Sequence, residues 1–253
     1  MAKIALITGA TAGIGEACAE LFAQHGYNLI LTGRRQDRLD ALARRLNDTY
    51  NIEIAVSAFD VRSRDQVVHS LSTLPETWKQ VDVLVNNAGL SQGLDPIQNG
   101  SYDDWDSMID TNIKGLLYVS KIIANWMIDR KQGHIVNISS IAGKNVYANG
   151  NVYCASKAAV DSLNQGMRID LLPYNIRVSG VYPGAVETEF SEVRFKGDKE
   201  RAKKVYEGFE PLVAADVADA IYYIVSRPAH VNVNELILMP TAQANATTFN
   251  RKS

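Results

Sequence analysis

"KIALITGATAGIGEACAELFAQHG" occupies positions 3–26. Its first six residues, Lys3 to Thr8, are a short apolar run that stops at a glycine, the pattern of a buried strand. From Ile14 to His25 the pattern turns helical and ends at Gly26. Between the two stand Gly9, Gly13 and Gly15, in a G-x-x-x-G-x-G spacing. Gly9 permits a tight turn, Gly13 removes a Cβ where backbone must approach phosphate, and Gly15 lets the helix pack close to the strand. The backbone around Thr11, Ala12 and Ile14 then offers a pyrophosphate free N–H groups and the positive end of a helix dipole. The turn reads as a dinucleotide-binding loop.

The remaining chain repeats this strand-then-helix unit. Strands are expected at 28–32, 52–59, 81–86, 134–139, 176–182 and 235–239. Between them lie helical patterns, one carrying Leu39, Leu42 and Leu46 at helical spacing. A long helical region runs from about Trp105 to Met127, and another covers 152–172, ended by Pro173. Residues 184–210 read as irregular and polar with a few aromatics. Strict alternation implies a parallel sheet covered on both faces. The seventh strand follows the polar insert, so the expectation is an α/β, Rossmann-type, doubly wound sheet of seven strands, with one domain spanning 1–253.

Composition narrows the function. Of the 253 residues, 46% are hydrophobic and 21% charged, with a formal net charge of −2. Nothing there favours nucleic acid or an anionic membrane as partner. The two cysteines, Cys18 and Cys154, sit in helical patterns among small residues and read as reduced, packed thiols. His25, His69, His134 and His230 lack a second ligand at metal spacing, so no metal is expected and they read as surface or capping residues. The N-terminus has no signal-peptide pattern and no run is long enough to span a bilayer, which points to the cytoplasm. No G-x-S-x-G is present to suggest a hydrolase.

In doubly wound sheets ligands bind beyond the carboxyl ends of the strands. Those ends read Thr8-Gly9, Gly33-Arg34-Arg35, Asp60-Val61, Asn86-Asn87-Ala88-Gly89, Ser139-Ser140 and Pro183-Gly184. Together they look like one ligand-binding edge. An NAD site usually carries an acidic residue at the end of the second strand. Arg34 and Arg35 stand there instead, suited to a 2′-phosphate, so the expected cofactor is NADP(H).

"NVYCASKAAV", positions 151–160, puts Tyr153 and Lys157 one helical turn apart on one face. A lysine charge about 5 Å from a phenol is worth roughly 3 kcal/mol at an effective dielectric near 20, or about two pKa units. That would bring the phenol toward useful proton transfer at neutral pH.

"TGATAGIG", "NNAG", the asparagine of "DTNIKG", "IVNISSIAG", "YCASK" and "YPGAVETEF" together resemble the short-chain dehydrogenase/reductase family, over essentially the whole chain. The resemblance implies catalytic Asn112, Ser140, Tyr153 and Lys157, Ser140 being the match because it lies thirteen residues before the tyrosine. It implies that Ser140 polarises the carbonyl oxygen, Tyr153 exchanges its proton, Lys157 tunes the tyrosine and holds the ribose, and Asn112 fixes a water. It also implies cofactor contacts at Gly9, Thr11, Ala12, Gly13, Ile14 and Gly15, at Asp60 and Val61, at Asn87, Ala88 and Gly89, and at Pro183, Gly184, Val186 and Thr188. A homotetramer acting on a small molecule is implied as well.

"ETEFSEVRFKGD", "LPETWKQVDVLVNNAGL" and "PAHVNVNELILMPTAQ" are similar to one branch, the NADP-dependent 3-hydroxy acid dehydrogenases acting on serine and allo-threonine. The insert at about 187–210 is expected to be a substrate lid, with Tyr147 and Arg194 joining Ser140 and Tyr153 around the substrate. Arg194 would take its carboxylate, Lys196 being the competing cation. A 3-oxoacyl-carrier-protein reductase, a broad carbonyl reductase and an NADP-binding regulator without turnover are the alternatives.

The intact protein is expected to prefer NADP(H) over NAD(H), and Arg34→Ala with Arg35→Ala to narrow the gap. Equal kcat/KM for the two cofactors in the unmodified protein would contradict this.

Overall fold

The computed structural model describes residues 2–252. The first half alternates strand and helix: β1 (Ile4–Thr8), α1 (Gly13–Gln24), β2 (Asn28–Gly33), α2 (Gln36–Tyr50), β3 (Ile54–Ala58), α3 (Arg64–Ser72) and β4 (Val81–Asn86). Then come α4 (Tyr102–Ile109), α5 (Leu116–Arg130), β5 (Gly133–Ile138), α6 (Asn151–Leu171) and β6 (Ile176–Pro183). The insert holds β7 (Val186–Glu187), α7 (Phe190–Arg194), α8 (Lys199–Lys204) and β8 (Leu212–Val213), and the chain closes with α9 (Ala214–Val225) and β9 (Glu235–Leu238). Seven strands form one parallel sheet in the order β3-β2-β1-β4-β5-β6-β9. The order reverses between β1 and β4, where a crevice opens at the strands' carboxyl ends.

The elements follow from their residues. All five residues of β1 are buried, as a central parallel strand requires. Helix α1 stops where Gly26 takes the left-handed φ of +74°. In α2 only Leu39, Leu42 and Leu46 are buried, so this helix is held by one stripe. Truncating any of the three to alanine would cost about 2–5 kcal/mol. One apolar layer joins α1, α2 and α9 to one face of the sheet, and a second joins α3, α5 and α6 to the other. Cys18 and Cys154 are buried, unpaired thiols inside helices. Among the described residues no helix is long and apolar enough to cross a membrane.

Two expectations are corrected and one is refined. The helical region around Trp105–Met127 is unbroken but changes pitch, a π-helical turn, Asp110–Gly115, joining α4 to α5. A Cβ on Gly115 would come within 2.8 Å of Val61, so the turn brings this helix hard against the β3 edge. The insert is not wholly irregular, since β7 pairs with β8 in parallel and two short helices lie between them. His134 is neither a surface nor a capping residue. It is 1% exposed, and its Nε2 lies 2.8 Å from Ser179 Oγ between β5 and β6.

Burial, aided by the Arg177 charge, pushes the His134 pKa down to about 3. The folded protein therefore refuses a proton that the unfolded chain accepts near pH 6.5, and stability falls as pH drops through the window between the two. This one residue should cost about 2 kcal/mol between pH 7 and pH 5. Urea unfolding at both pH values would show it, with His134→Gln losing much less on acidification. An equal acid loss in both proteins would contradict the assignment.

Candidate active site

A cavity of about 580 Å³ lies along the carboxyl edge of the sheet. It runs from Arg34 and Asp60 at one end, past Gly9–Ile14 and Asn87–Gly89, to Ser140, Tyr147, Tyr153 and Arg194 at the other. Pro183, Gly184, Val186 and Thr188 form its far wall.

The first turn is built to admit phosphate. Gly9 has φ +67°, and a Cβ there would come within 3.1 Å of Ala88 Cα. Gly13 has φ +55°, and a Cβ there would press on Thr188 at 3.2 Å. Helix α1 begins after Ala12 with no side-chain cap, so its first N–H groups face the cavity unused. Gly15 was expected among the cofactor contacts and is corrected: it does not line the cavity. Its Cβ would fall 2.3 Å from Gly9 O and 2.5 Å from Asn87 Nδ2, so its role is packing. These residues fit a dinucleotide's phosphates.

Beyond β2 the arginines divide. Arg34 is exposed and lines the cavity mouth. Arg35 also lines it, but its guanidinium donates to Thr11 Oγ1 (2.8 Å) and reaches Glu189 of the insert (3.3 Å). Arg38 holds the same carboxylate at 2.8 Å. Asp60 lines the cavity with its carboxylate held by Arg62.

Tyr153 and Lys157 are both buried on the cavity side of α6. Ser140 joins them there, its Oγ accepting from Ala142 N at 3.1 Å. Ser139 also reaches the cavity wall, but its hydroxyl donates to Lys157 O at 2.9 Å and so anchors α6. The expected electrostatics are corrected. Lys157 Nζ turns to Ile138 O at 3.0 Å, and burial lowers its pKa to about 8. Burial raises the Tyr153 pKa above the usual phenol range, with Tyr147 adding to the rise, while Arg194 and the Ser140 hydroxyl pull it back. The cation over the phenol is Arg194, whose Cζ stands 5.2 Å from the Tyr153 ring centre.

The side-chain amide of Asn112 is committed to the scaffold. Oδ1 accepts from Leu90 N (2.8 Å), and Nδ2 donates to Leu90 O (2.8 Å) and Ser156 Oγ (2.9 Å). It does not line the cavity, and instead fastens the loop after β4 to α6.

A glycine loop, a serine and a buried Tyr/Lys pair on one crevice agree with the wider comparison. The model of the short chain dehydrogenase family matches residues 3–199. The chain belongs to that family. This short-chain dehydrogenase is 45% identical to the NADP-dependent 3-hydroxy acid dehydrogenase YdfG of Salmonella typhi, covering 96% of this chain and 97% of that protein. It is 46% identical to sulfoacetaldehyde reductase 2 of Chromohalobacter salexigens, covering 96% of each. Among solved structures, the closed form of a serine dehydrogenase complexed with NADP+ superposes with a TM-score of 0.92, at 44% identity, over 99% of this chain and 100% of that one.

Two groups of cavity residues were not read from the sequence of this short-chain dehydrogenase. Leu90 follows "NNAG" and lines the cavity, while Ser91 stands behind the lining, its Oγ accepting from Arg194 Nε at 3.0 Å. Gln243, Phe249 and Arg251 come from the tail after β9. Arg251 lies 5.0 Å over both Phe209 and Phe249 and donates to Val205 O at 3.0 Å. The only signal in the sequence was an aromatic and a cation in an otherwise small, polar tail.

Proposed function

We propose that this short-chain dehydrogenase, an NADP-dependent oxidoreductase acting on CH–OH groups, carries out reversible hydride transfer between NADP(H) and the β-hydroxyl or carbonyl of small 3-hydroxy acids such as L-serine, L-allo-threonine and 3-hydroxypropionate. It would do so as a homotetramer in the cytoplasm, with the insert as lid. When bound, the nicotinamide supplies or accepts the hydride. Gly9, Gly13 and the α1 N-terminus would hold its phosphates, Arg34 a 2′-phosphate, and Lys157 the ribose. Ser140 donates a hydrogen bond to the substrate oxygen, where negative charge develops. Tyr153 gives that oxygen its proton in reduction and removes it in oxidation. Asn112 acts as a positioning residue that keeps Leu90 and α6 in register.

The observation that carries the substrate class is Arg194. Its guanidinium lies inside the chamber, over Tyr153, and not on the exposed side of the insert. The competing cation, Lys196, pairs with Asp104 at 3.0 Å and does not line the cavity. A permanent planar cation beside the reacting group suits an acid of few carbons. Arg194 stands among the cavity-lining residues, where a long acyl chain would have to desolvate its charge, which argues against a carrier-protein substrate. The same cation also suits a sulfonate, the anion of the substrate for which the Chromohalobacter salexigens relative is named.

The test is NADP+ reduction with L-serine, L-allo-threonine and 3-hydroxypropionate beside simple alcohols, and NADPH oxidation with sulfoacetaldehyde beside an uncharged aldehyde. Arg194→Ala should lower the acid-to-alcohol ratio of kcat/KM about tenfold or more, a loss of ~1.4 kcal/mol or greater. An unchanged ratio would remove the carboxylate assignment. Tyr153→Phe should bind NADPH normally and lose most turnover, and a near-normal kcat would overturn the mechanism.

A further inference from the structure

Arg194 is held from three directions. Its Nε donates to Ser91 Oγ at 3.0 Å, and one NH2 group is hydrogen-bonded to the Tyr147 hydroxyl. Its carbonyl oxygen accepts from Gly93 N at 3.1 Å, which ties the same residue's backbone to the loop after β4. Its guanidinium lies 5.7 Å from the Tyr147 ring centre and 5.8 Å from that of Phe190. Ser91 is 1% exposed, so its hydroxyl has little freedom to follow a moving partner. Tyr147 is fixed in turn by Gly150, where a Cβ would overlap the tyrosine ring at 2.2 Å.

A guanidinium carries five N–H donors in one plane. Ser91 takes the Nε donor and Tyr147 one donor on NH2, which leaves NH1 and the remaining NH2 donor as the available edge. An arginine on a short surface helix would ordinarily sample many rotamers and follow any anion offered. Two hydroxyls from separate loops remove that freedom, and the loops themselves are seated on β4 and α6.

We infer that Ser91, with Tyr147, sets substrate specificity by fixing the plane of Arg194, so that its remaining NH1/NH2 edge meets a substrate anion at one set distance from the Tyr153 hydroxyl. This rests on the reading of Arg194 as the anchor of the substrate carboxylate. Ser91 touches neither the substrate nor the cofactor in this account and is a positioning residue. The fixed edge selects for length: an acid whose carboxylate is one methylene too far from its carbinol cannot satisfy Arg194 and Tyr153 together. 3-Hydroxypropionate should therefore be favoured over 4-hydroxybutyrate, and a loosened Arg194 should blur that choice.

The experiment is a double-mutant cycle on Ser91→Ala and Arg194→Ala, read with 3-hydroxypropionate, 4-hydroxybutyrate and 1-propanol, with NADPH affinity measured by fluorescence. Ser91→Ala should raise KM for 3-hydroxypropionate about fivefold or more, the loss expected from one positioning hydrogen bond, with kcat little changed. It should narrow the preference for the shorter acid and leave NADPH affinity and 1-propanol turnover as they were. In the Arg194→Ala background the same change should have no effect on KM, because its only route is through the guanidinium. Tyr147→Phe, which keeps the ring and removes the hydroxyl, should raise KM for 3-hydroxypropionate in the same way. If Arg194→Ala raises that KM and Ser91→Ala does not, or if Ser91→Ala acts equally with and without Arg194, the positioning role is wrong while the anchor stands. If Arg194→Ala itself leaves KM unchanged, both readings fall together.

Discussion

Much of this molecule depends on how closely the first helix approaches the end of the first strand. At Gly15 the helix lies so near Gly9 O and Asn87 Nδ2 that a single methyl group could not be inserted. Asn87 uses the closeness, its Nδ2 donating to Thr8 O at 2.9 Å, while Thr8 Oγ1 accepts from the backbone N–H groups of Asn87 and Ala88. Strands β1 and β4 are thus clasped at the point where the sheet order reverses. The clasp sets the loop from Asn87 to Ser91, Asn112 grips that loop at Leu90, and Ser156 joins Asn112 to α6. Ser156 Oγ in turn donates to Tyr153 O at 2.8 Å. An unbroken chain of contacts therefore runs from the phosphate turn to the residue placed to exchange the proton.

The local parts of this arrangement are legible in the sequence. Strand runs of Val, Ile and Leu, the Leu39/Leu42/Leu46 stripe and the glycine turn each announce themselves within a few residues, because steric and burial rules act over that range. The Tyr153/Lys157 pair shares a helix face for the same reason. What escapes is whatever depends on a partner far along the chain. Asn112 stands out through its motif, but its hydrogen-bond target, Leu90, lies in another loop. Lys157 has the right spacing to face a phenol, but whether its ammonium turns toward Tyr153 or toward Ile138 O is decided by the β5 end. The same holds for His134, whose burial is set by the pairing of β5 with β6, and for the Phe249–Arg251 tail.

Burial gives the chamber its electrostatic character. It pushes Tyr153 up and Lys157 down, so both groups are drawn toward their neutral forms by the same loss of solvent. Arg194 cannot respond in that way, because a guanidinium keeps its proton. It is thus the permanent charge beside the phenol, and its field at Tyr153 is one that an arriving substrate anion would partly cancel.

The insert between β6 and α9 is fastened at two unlike ends. Near its start Glu189 bridges Arg35 and Arg38, all three with side chains between 41% and 47% exposed. A few residues on, Arg194 is fixed to buried Ser91. Dissolved salt screens the first attachment and barely reaches the second. Ionic strength therefore acts on one attachment of this segment and not on the other. If opening limits the catalytic cycle, steady-state turnover should quicken with salt while hydride transfer in a single turnover holds constant; a single-turnover rate that moved in step with it would place the dependence in the chemistry instead.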